Sequence, residues 1–79
     1  MKEELSKLDK VLQQQFIENE ELVLKNIEYL KLMGIKKPEL LIVPAPELFL
    51  LPNKIVQKKM DKIDINLVNK DYNMILEML

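Results

Sequence analysis

The chain has 79 residues, with 12 lysines against 13 aspartates and glutamates, so its formal net charge is −1 and no global field attracts polyanions. This length suits a single domain over residues 1–79 with one modest core. The absence of cysteine and histidine excludes disulfides and thiolate or imidazole metal sites, and it gives no sign of an oxidising compartment. We therefore expect a cytoplasmic protein without metal or cofactor.

The first segment, KEELSKLDKVLQQQFI, predicts one amphipathic helix. Leu5, Leu8, Leu12 and Phe16 recur at spacings of three and four, which places them on one helix face. A signal peptide is basic and then apolar, whereas this segment is acidic and amphipathic. Since no apolar run approaches the roughly 20 residues that span a bilayer, we predict no association with a membrane.

The second segment, NEELVLKNIEYLKLMGI, predicts a longer helix with both ends marked. Asn19 is the expected N-cap, and Glu20 and Glu21 favour the positive end of the helix dipole. Gly34 is expected in the left-handed conformation that ends many helices, with Ile35 folding back onto the last turn. The apolar face of this helix consists of Leu22, Val23, Ile27, Leu30 and Met33.

Asn26 falls among those apolar residues on a helical wheel, which predicts a buried amide. A buried amide needs hydrogen-bond partners, and two kinds of partner fit this position. One is a bound ligand. The other, which we favour, is a neighbouring loop or helix end.

Residues 34–54 contain all four prolines and the only glycine, yet they are largely apolar. Two phrases, PELLIV and PELFLL, each begin with proline and an acid, which is typical of a helix start. Because the residue before a proline avoids helical geometry, each phrase predicts only about one helical turn, α or 3₁₀. The alternative is a pair of short strands at 40–43 and 48–51, which the prolines and unbranched leucines disfavour.

The third segment, NKIVQKKMDKID, predicts a helix that starts at an Asn53 cap. Its apolar face carries Val56, Met60 and Ile63, at spacings of four and three. The basic side chains of this segment, here called the lysine stripe, lie on or beside the opposite face and are Lys54, Lys58, Lys59 and Lys62.

After a predicted break at 64–66, the segment NKDYNMILEML predicts a last helix capped by Asn69. Its expected apolar face is formed by Tyr72, Ile75, Leu76 and Leu79. The apolar pattern has no closing cap. We therefore predict that a partner, or a further part of a longer protein, packs on an apolar tip formed by Met74, Met78 and Leu79.

The run over residues 26–63 resembles a repeat of the mitochondrial transcription termination factor (mTERF) family. A helix ending in leucine and Gly-Ile is followed by a proline-bearing turn with leucines and then by another helix. The matching positions are Leu30, Gly34, Ile35, Pro46, Leu48 and Leu51. The resemblance implies a curved α-solenoid whose basic concave face binds nucleic acid.

No motif indicates catalysis, because the chain lacks histidine, cysteine and a glycine-rich phosphate loop and has a single serine, Ser6. We therefore predict a non-catalytic interaction module. It binds a protein or associates with itself through the apolar tip; the alternative is weak binding of nucleic acid through the lysine stripe. A composition rich in lysine, isoleucine and asparagine without arginine is typical of a bacterial or phage protein.

The predicted fold class is all-α, a small bundle of about four helices with two short proline-started turns in the middle. One core should unite the long helices with these turns. The residues predicted to line it are Leu30, Ile35, Leu40, Leu48, Phe49, Val56, Met60, Ile63, Tyr72 and Leu76.

Overall fold

Helices account for every regular element of the computed structural model, which describes residues 1–79 and contains no strand. The all-α class is therefore confirmed, although several of the seven α-helices are only about one turn long. In chain order the elements are α1 (Lys2–Ser6), α2 (Lys10–Glu18), α3 (Glu20–Leu32), a first 3₁₀ helix (Pro38–Leu41), α4 (Glu47–Leu50), α5 (Asn53–Met60), α6 (Ile65–Lys70), a second 3₁₀ helix (Tyr72–Met74) and α7 (Ile75–Met78).

The prediction of one unbroken helix at the start of the chain is wrong, because Asp9 divides it into α1 and α2. The Asp9 carboxylate accepts a hydrogen bond of 2.9 Å from the Leu12 backbone N–H and so caps α2. Aspartate stabilises a helix more as an N-cap than as an interior residue, which explains the break. Phe16 of α2 is buried and its ring centroid lies 6.1 Å from that of Phe49.

Asn19 lies between α2 and α3 but does not cap α3, contrary to the prediction. Its side-chain amide instead donates a hydrogen bond of 2.8 Å to the Gln15 carbonyl oxygen. The Gln15 oxygen also accepts the Asn19 backbone N–H at 3.0 Å, so Asn19 closes the end of α2 through both its backbone and its side chain. The first turn of α3 therefore has no side-chain cap, and Glu20 and Glu21 stabilise it through their interaction with the helix dipole.

Gly34 ends α3 as predicted. Its φ of +109° lies in the region that favours glycine, and the Ile35 N–H donates to the Leu30 carbonyl oxygen at 3.1 Å. The Gly34 N–H donates to the Lys31 carbonyl oxygen at 3.0 Å, which completes a Schellman motif. Ile35 is thereby turned into the core, where it is buried.

The two proline-started phrases form helical turns, so the strand alternative is wrong. PELLIV begins with the first 3₁₀ helix and PELFLL contains α4. Both segments pack against α3 and contribute Leu41, Ile42, Leu48 and Phe49 to a single core of 14 residues. Prolines end each segment before a longer helix can form.

Asn26 is the only buried polar residue, and it holds the end of α4. Its Nδ2 donates hydrogen bonds to the carbonyl oxygens of Phe49, at 3.1 Å, and Leu51, at 2.9 Å. Its Oδ1 accepts one of 2.9 Å from Asn53 Nδ2. The predicted bond from Asn26 to a helix end is confirmed.

The prediction that Asn53 caps α5 is wrong. Its side chain instead forms hydrogen bonds with the side chains of Asn26 and Gln57.

A long helix followed by two short helical segments occurs twice in the chain. The first set is α3, the first 3₁₀ helix and α4; the second is α5, α6 and the second 3₁₀ helix with α7. The break predicted at 64–66 lies at 61–64 instead, because the Asp64 carboxylate accepts from the Leu67 N–H at 3.1 Å and so caps α6, which begins at Ile65. Buried residues at corresponding places lie 27 to 30 positions apart: Leu30 and Met60, Ile35 and Ile63, Leu41 and Val68, Leu48 and Ile75.

Two predicted core residues are on the surface. Leu40 and Leu76 are 38% and 56% exposed, whereas their neighbours Leu41 and Ile75 are fully buried. Leu40 lies in the first 3₁₀ helix, which turns 120° per residue instead of 100°. Leu76 lies in α7 directly after the second 3₁₀ helix, whose different turn shifts the α-helical pattern predicted from Tyr72 onward. Tyr72 is half-buried against the core. The remaining predicted positions are buried: Leu30, Ile35, Leu48, Phe49, Val56, Met60 and Ile63.

We expect Gly34→Ala to lower the free energy of unfolding by about 1 kcal/mol, because alanine resists a positive φ. A Cβ there would also lie 3.3 Å from Ile65 Cγ2. Urea denaturation followed by circular dichroism measures the change. Lys36→Ala, in the same connection but with an exposed side chain, is the control. Equal urea midpoints for the two variants would contradict the role given to Gly34.

We expect Asn26→Leu to lower the free energy of unfolding by about 2–4 kcal/mol, since it leaves the buried carbonyl oxygen of Phe49 and the partly buried one of Leu51 unpaired. Asn53→Ala removes one hydrogen bond to Asn26 and leaves those to Phe49 and Leu51 intact. Its expected cost is about 1 kcal/mol. Urea denaturation of both variants is the measurement, and a larger loss for Asn53→Ala would show that the carbonyl pairing is not the main term.

Candidate functional site

An open groove of about 300 Å³ lies where the end of α5 meets the end of α7. We call it the basic groove; it is lined by Lys58, Lys59, Lys62, Met78 and Leu79. It brings together three of the four residues of the lysine stripe and two of the three residues of the apolar tip. The remaining two, Lys54 and Met74, do not line it.

Lys58 and Lys59 are exposed because the opposite face of α5 is buried through Val56 and Met60, and Lys62 is exposed in the turn that follows α5. Their charges are not neutralised within the chain, whose single ion pair joins the Met1 amino group to Glu4. Lys58 and Lys59 lie in the last turn of α5, where cations also favour the negative end of the helix dipole. The groove therefore offers three unpaired ammonium groups.

The apolar side of the groove combines a fixed side chain with a more exposed one. Met78 is half-buried and packs against the core, and its Sδ accepts a hydrogen bond of 3.4 Å from the Asp64 N–H. Leu79 is 44% exposed. Thioethers and leucine side chains make adaptable apolar contacts. The groove can therefore bind a ligand that has both anionic and apolar groups.

Asn69 ties the segment before α7 to the end of α3. Its Nδ2 donates to the Gly34 carbonyl oxygen at 2.9 Å, and its Oδ1 accepts from the Lys36 N–H at 2.9 Å and from the Tyr72 hydroxyl at 3.2 Å. The same hydroxyl accepts a bond of 3.0 Å from the Lys37 N–H. Asn69 lies within α6, so the prediction that it caps the last helix is wrong; Asp71 caps the second 3₁₀ helix instead.

A second surface, at the junction of α2 and α3, has the opposite charge. We call it the acidic corner; it encloses about 380 Å³ and is lined by Ile17, Glu18, Asn19, Glu20, Glu21 and Leu22. Ile17, which lies outside the predicted apolar face of the first segment, is 64% exposed. Sequence reasoning missed this surface. The available signal was the net charge of −3 over residues 1–30, against +3 over 53–62.

No group of three or more histidine, cysteine, aspartate or glutamate side chains is placed to hold a metal ion. None of the helices has the length and apolar character needed to cross a membrane. No family model, curated protein or solved structure matches the chain. The chemistry of the groove is therefore the basis for assigning a function.

We expect Asn69→Ala to weaken the packing of the segment that carries α7 against the end of α3. Hydrogen exchange at the Lys36 amide should accelerate, because the variant lacks the side-chain oxygen that accepts the hydrogen bond of this amide. Tyr72→Phe removes the hydroxyl that accepts from Lys37 and should accelerate exchange at that amide instead. Residue-resolved exchange by nuclear magnetic resonance measures both. Uniform acceleration throughout the chain in both variants would indicate loss of global stability rather than of a local tie.

Proposed function

We propose that the chain is a non-catalytic, cytoplasmic interaction module whose basic groove binds an acidic, apolar-sided segment of a protein. One observation carries this proposal: three unpaired lysines border the same groove as Met78 and Leu79. An amphipathic protein segment presents carboxylates beside apolar side chains and so complements both parts of the groove.

The apolar side of the groove favours protein over nucleic acid as the ligand. Phosphates would pair with the lysines, but they would gain nothing from Met78 and Leu79. Single-stranded nucleic acid is commonly held by stacking on aromatic side chains, and none lines this groove. Burial of apolar side chains surrounded by a polar rim is instead the usual arrangement of a protein interface.

The mTERF-like repeat over 26–63 is part of the same proposal. It is supported by the repeated order of one long helix and two short helical segments, which gives a second set over 53–78. Repeats of this kind bury their cores by stacking on one another and leave extended binding surfaces. The nucleic-acid binding that the resemblance implies is the alternative function, through all four residues of the lysine stripe.

The chain provides a matched pair of variants that separates the two ligands. Lys58→Glu and Lys54→Glu make the same change of charge on the same helix, but only Lys58 lines the groove. A designed helical peptide of glutamate, alanine and regularly spaced leucine serves as the protein probe. A DNA duplex of mixed sequence serves as the nucleic-acid probe. Fluorescence anisotropy measures the dissociation constant of each.

We expect the peptide to bind, Lys58→Glu to weaken that binding at least about tenfold, and Lys54→Glu to change it by less than about twofold. Leu79→Ser should also weaken binding of the peptide, and it should leave binding of DNA unchanged. DNA binding that both glutamate variants abolish, in the absence of peptide binding, would favour the alternative function. Failure of both probes to bind would reject the groove as a binding site.

A further inference from the structure

The basic groove and the acidic corner are complementary in charge and in apolar content. Glu18, Glu20 and Glu21 match the three lysines of the groove in number and oppose them in sign. Ile17 offers an exposed apolar side chain, as Leu79 does in the groove. None of these six charged side chains forms an ion pair within the chain. Both surfaces are therefore available for pairing between molecules.

The two surfaces lie at opposite ends of α3. Met78 of the groove accepts a hydrogen bond from the Asp64 N–H. The next residue, Ile65, has its Cγ2 3.3 Å from where a Cβ on Gly34 would lie, and Gly34 lies just beyond the end of α3. The groove, at the end of α5, lies near the carboxyl end of α3, while the corner includes its first turn.

A chain cannot fill its own groove with its own corner in this arrangement. Helix α3 has 13 residues, which corresponds to a length of about 20 Å between its ends. The corner includes the first turn of this helix, and the helix is fixed to the core through Val23, Asn26 and Leu30. Pairing of the two surfaces requires a second molecule.

We propose that the occupant of the basic groove is the acidic corner of a second copy of the chain, so that copies associate head to tail. This inference rests on the proposed function and names its partner. In the contact, the carboxylates of the corner face the lysines of the groove, and Ile17 packs against Met78 and Leu79. Such an interface joins two different surfaces, so each dimer keeps one free groove and one free corner. Further copies can add at both ends.

Complementary charge reversals test this arrangement. Lys62→Glu reverses one charge in the groove and leaves the corner unchanged. Glu21→Lys reverses one charge in the corner and leaves the groove unchanged. Their controls are Lys54→Glu, in α5, and Glu28→Lys, in α3, which make the same changes of charge outside the two surfaces. Circular dichroism verifies that all four variants fold. Sedimentation equilibrium of the full chain, up to several hundred micromolar and at low salt, measures association.

We expect the unmodified chain and both controls to form dimers and longer species, with association weakened by salt. Lys62→Glu alone and Glu21→Lys alone should each lower the association constant about tenfold or more. An equimolar mixture of the two should associate more strongly than either variant alone, because the intact groove of Glu21→Lys accepts the intact corner of Lys62→Glu.

An unmodified chain that stays monomeric, or a mixture that associates no better than its components, would overturn head-to-tail pairing. A dimer that survives both reversals would place the interface elsewhere and overturn it equally. The outcome is separable from that of the proposed function. If the designed acidic peptide still binds the groove and Lys58→Glu still weakens its binding, the groove is a protein-binding site whose partner is not a second copy.

Discussion

The amide of Asn26 is the interaction on which the rest of the fold depends. The segment between α3 and α5 is buried although prolines divide it into single turns, and such turns leave carbonyl oxygens without helical partners. Pro52 follows Leu51 directly and has no N–H to donate. A buried carbonyl left unpaired costs about 1–3 kcal/mol, so two of them would cancel much of the gain from burying α4. Asn26 supplies both missing donors from the adjacent helix.

The same side chain fixes where α5 begins. Asn53 bonds to the oxygen of Asn26, so the first residue of α5 is held beside the middle of α3. Burial of Val56 and Met60 then turns the other face of α5 to solvent, and the lysines with it. A second set of hydrogen bonds, around Asn69, brings the segment with α7 against the end of α3. The basic groove lies between elements held by these two ties.

The fold also separates the charges of a nearly neutral chain. Acidic residues collect where α2 meets α3, and basic residues collect at the end of α5, with only one ion pair to couple any of them internally. A domain of this size has a thin margin of stability, and unpaired exposed charges contribute little to it. Their separation into two surfaces with apolar residues beside them is a property suited to association, which supports the functional proposal.

The sequence by itself determined the helical class, the end of α3 at Gly34, the burial of Asn26 and the turns started by proline. These follow from periodicity and from local backbone chemistry, which act over a few residues. Only the tertiary structure decided the roles of Asn53 and Asn69, each of which was expected to cap a helix. An asparagine side chain can bond either at its own helix start or to a distant polar group, and local sequence does not distinguish these. Contacts between residues 27 to 35 positions apart selected the distant partner for Asn53 and Asn69. The same long-range contacts placed Met78 and Leu79 beside the lysines.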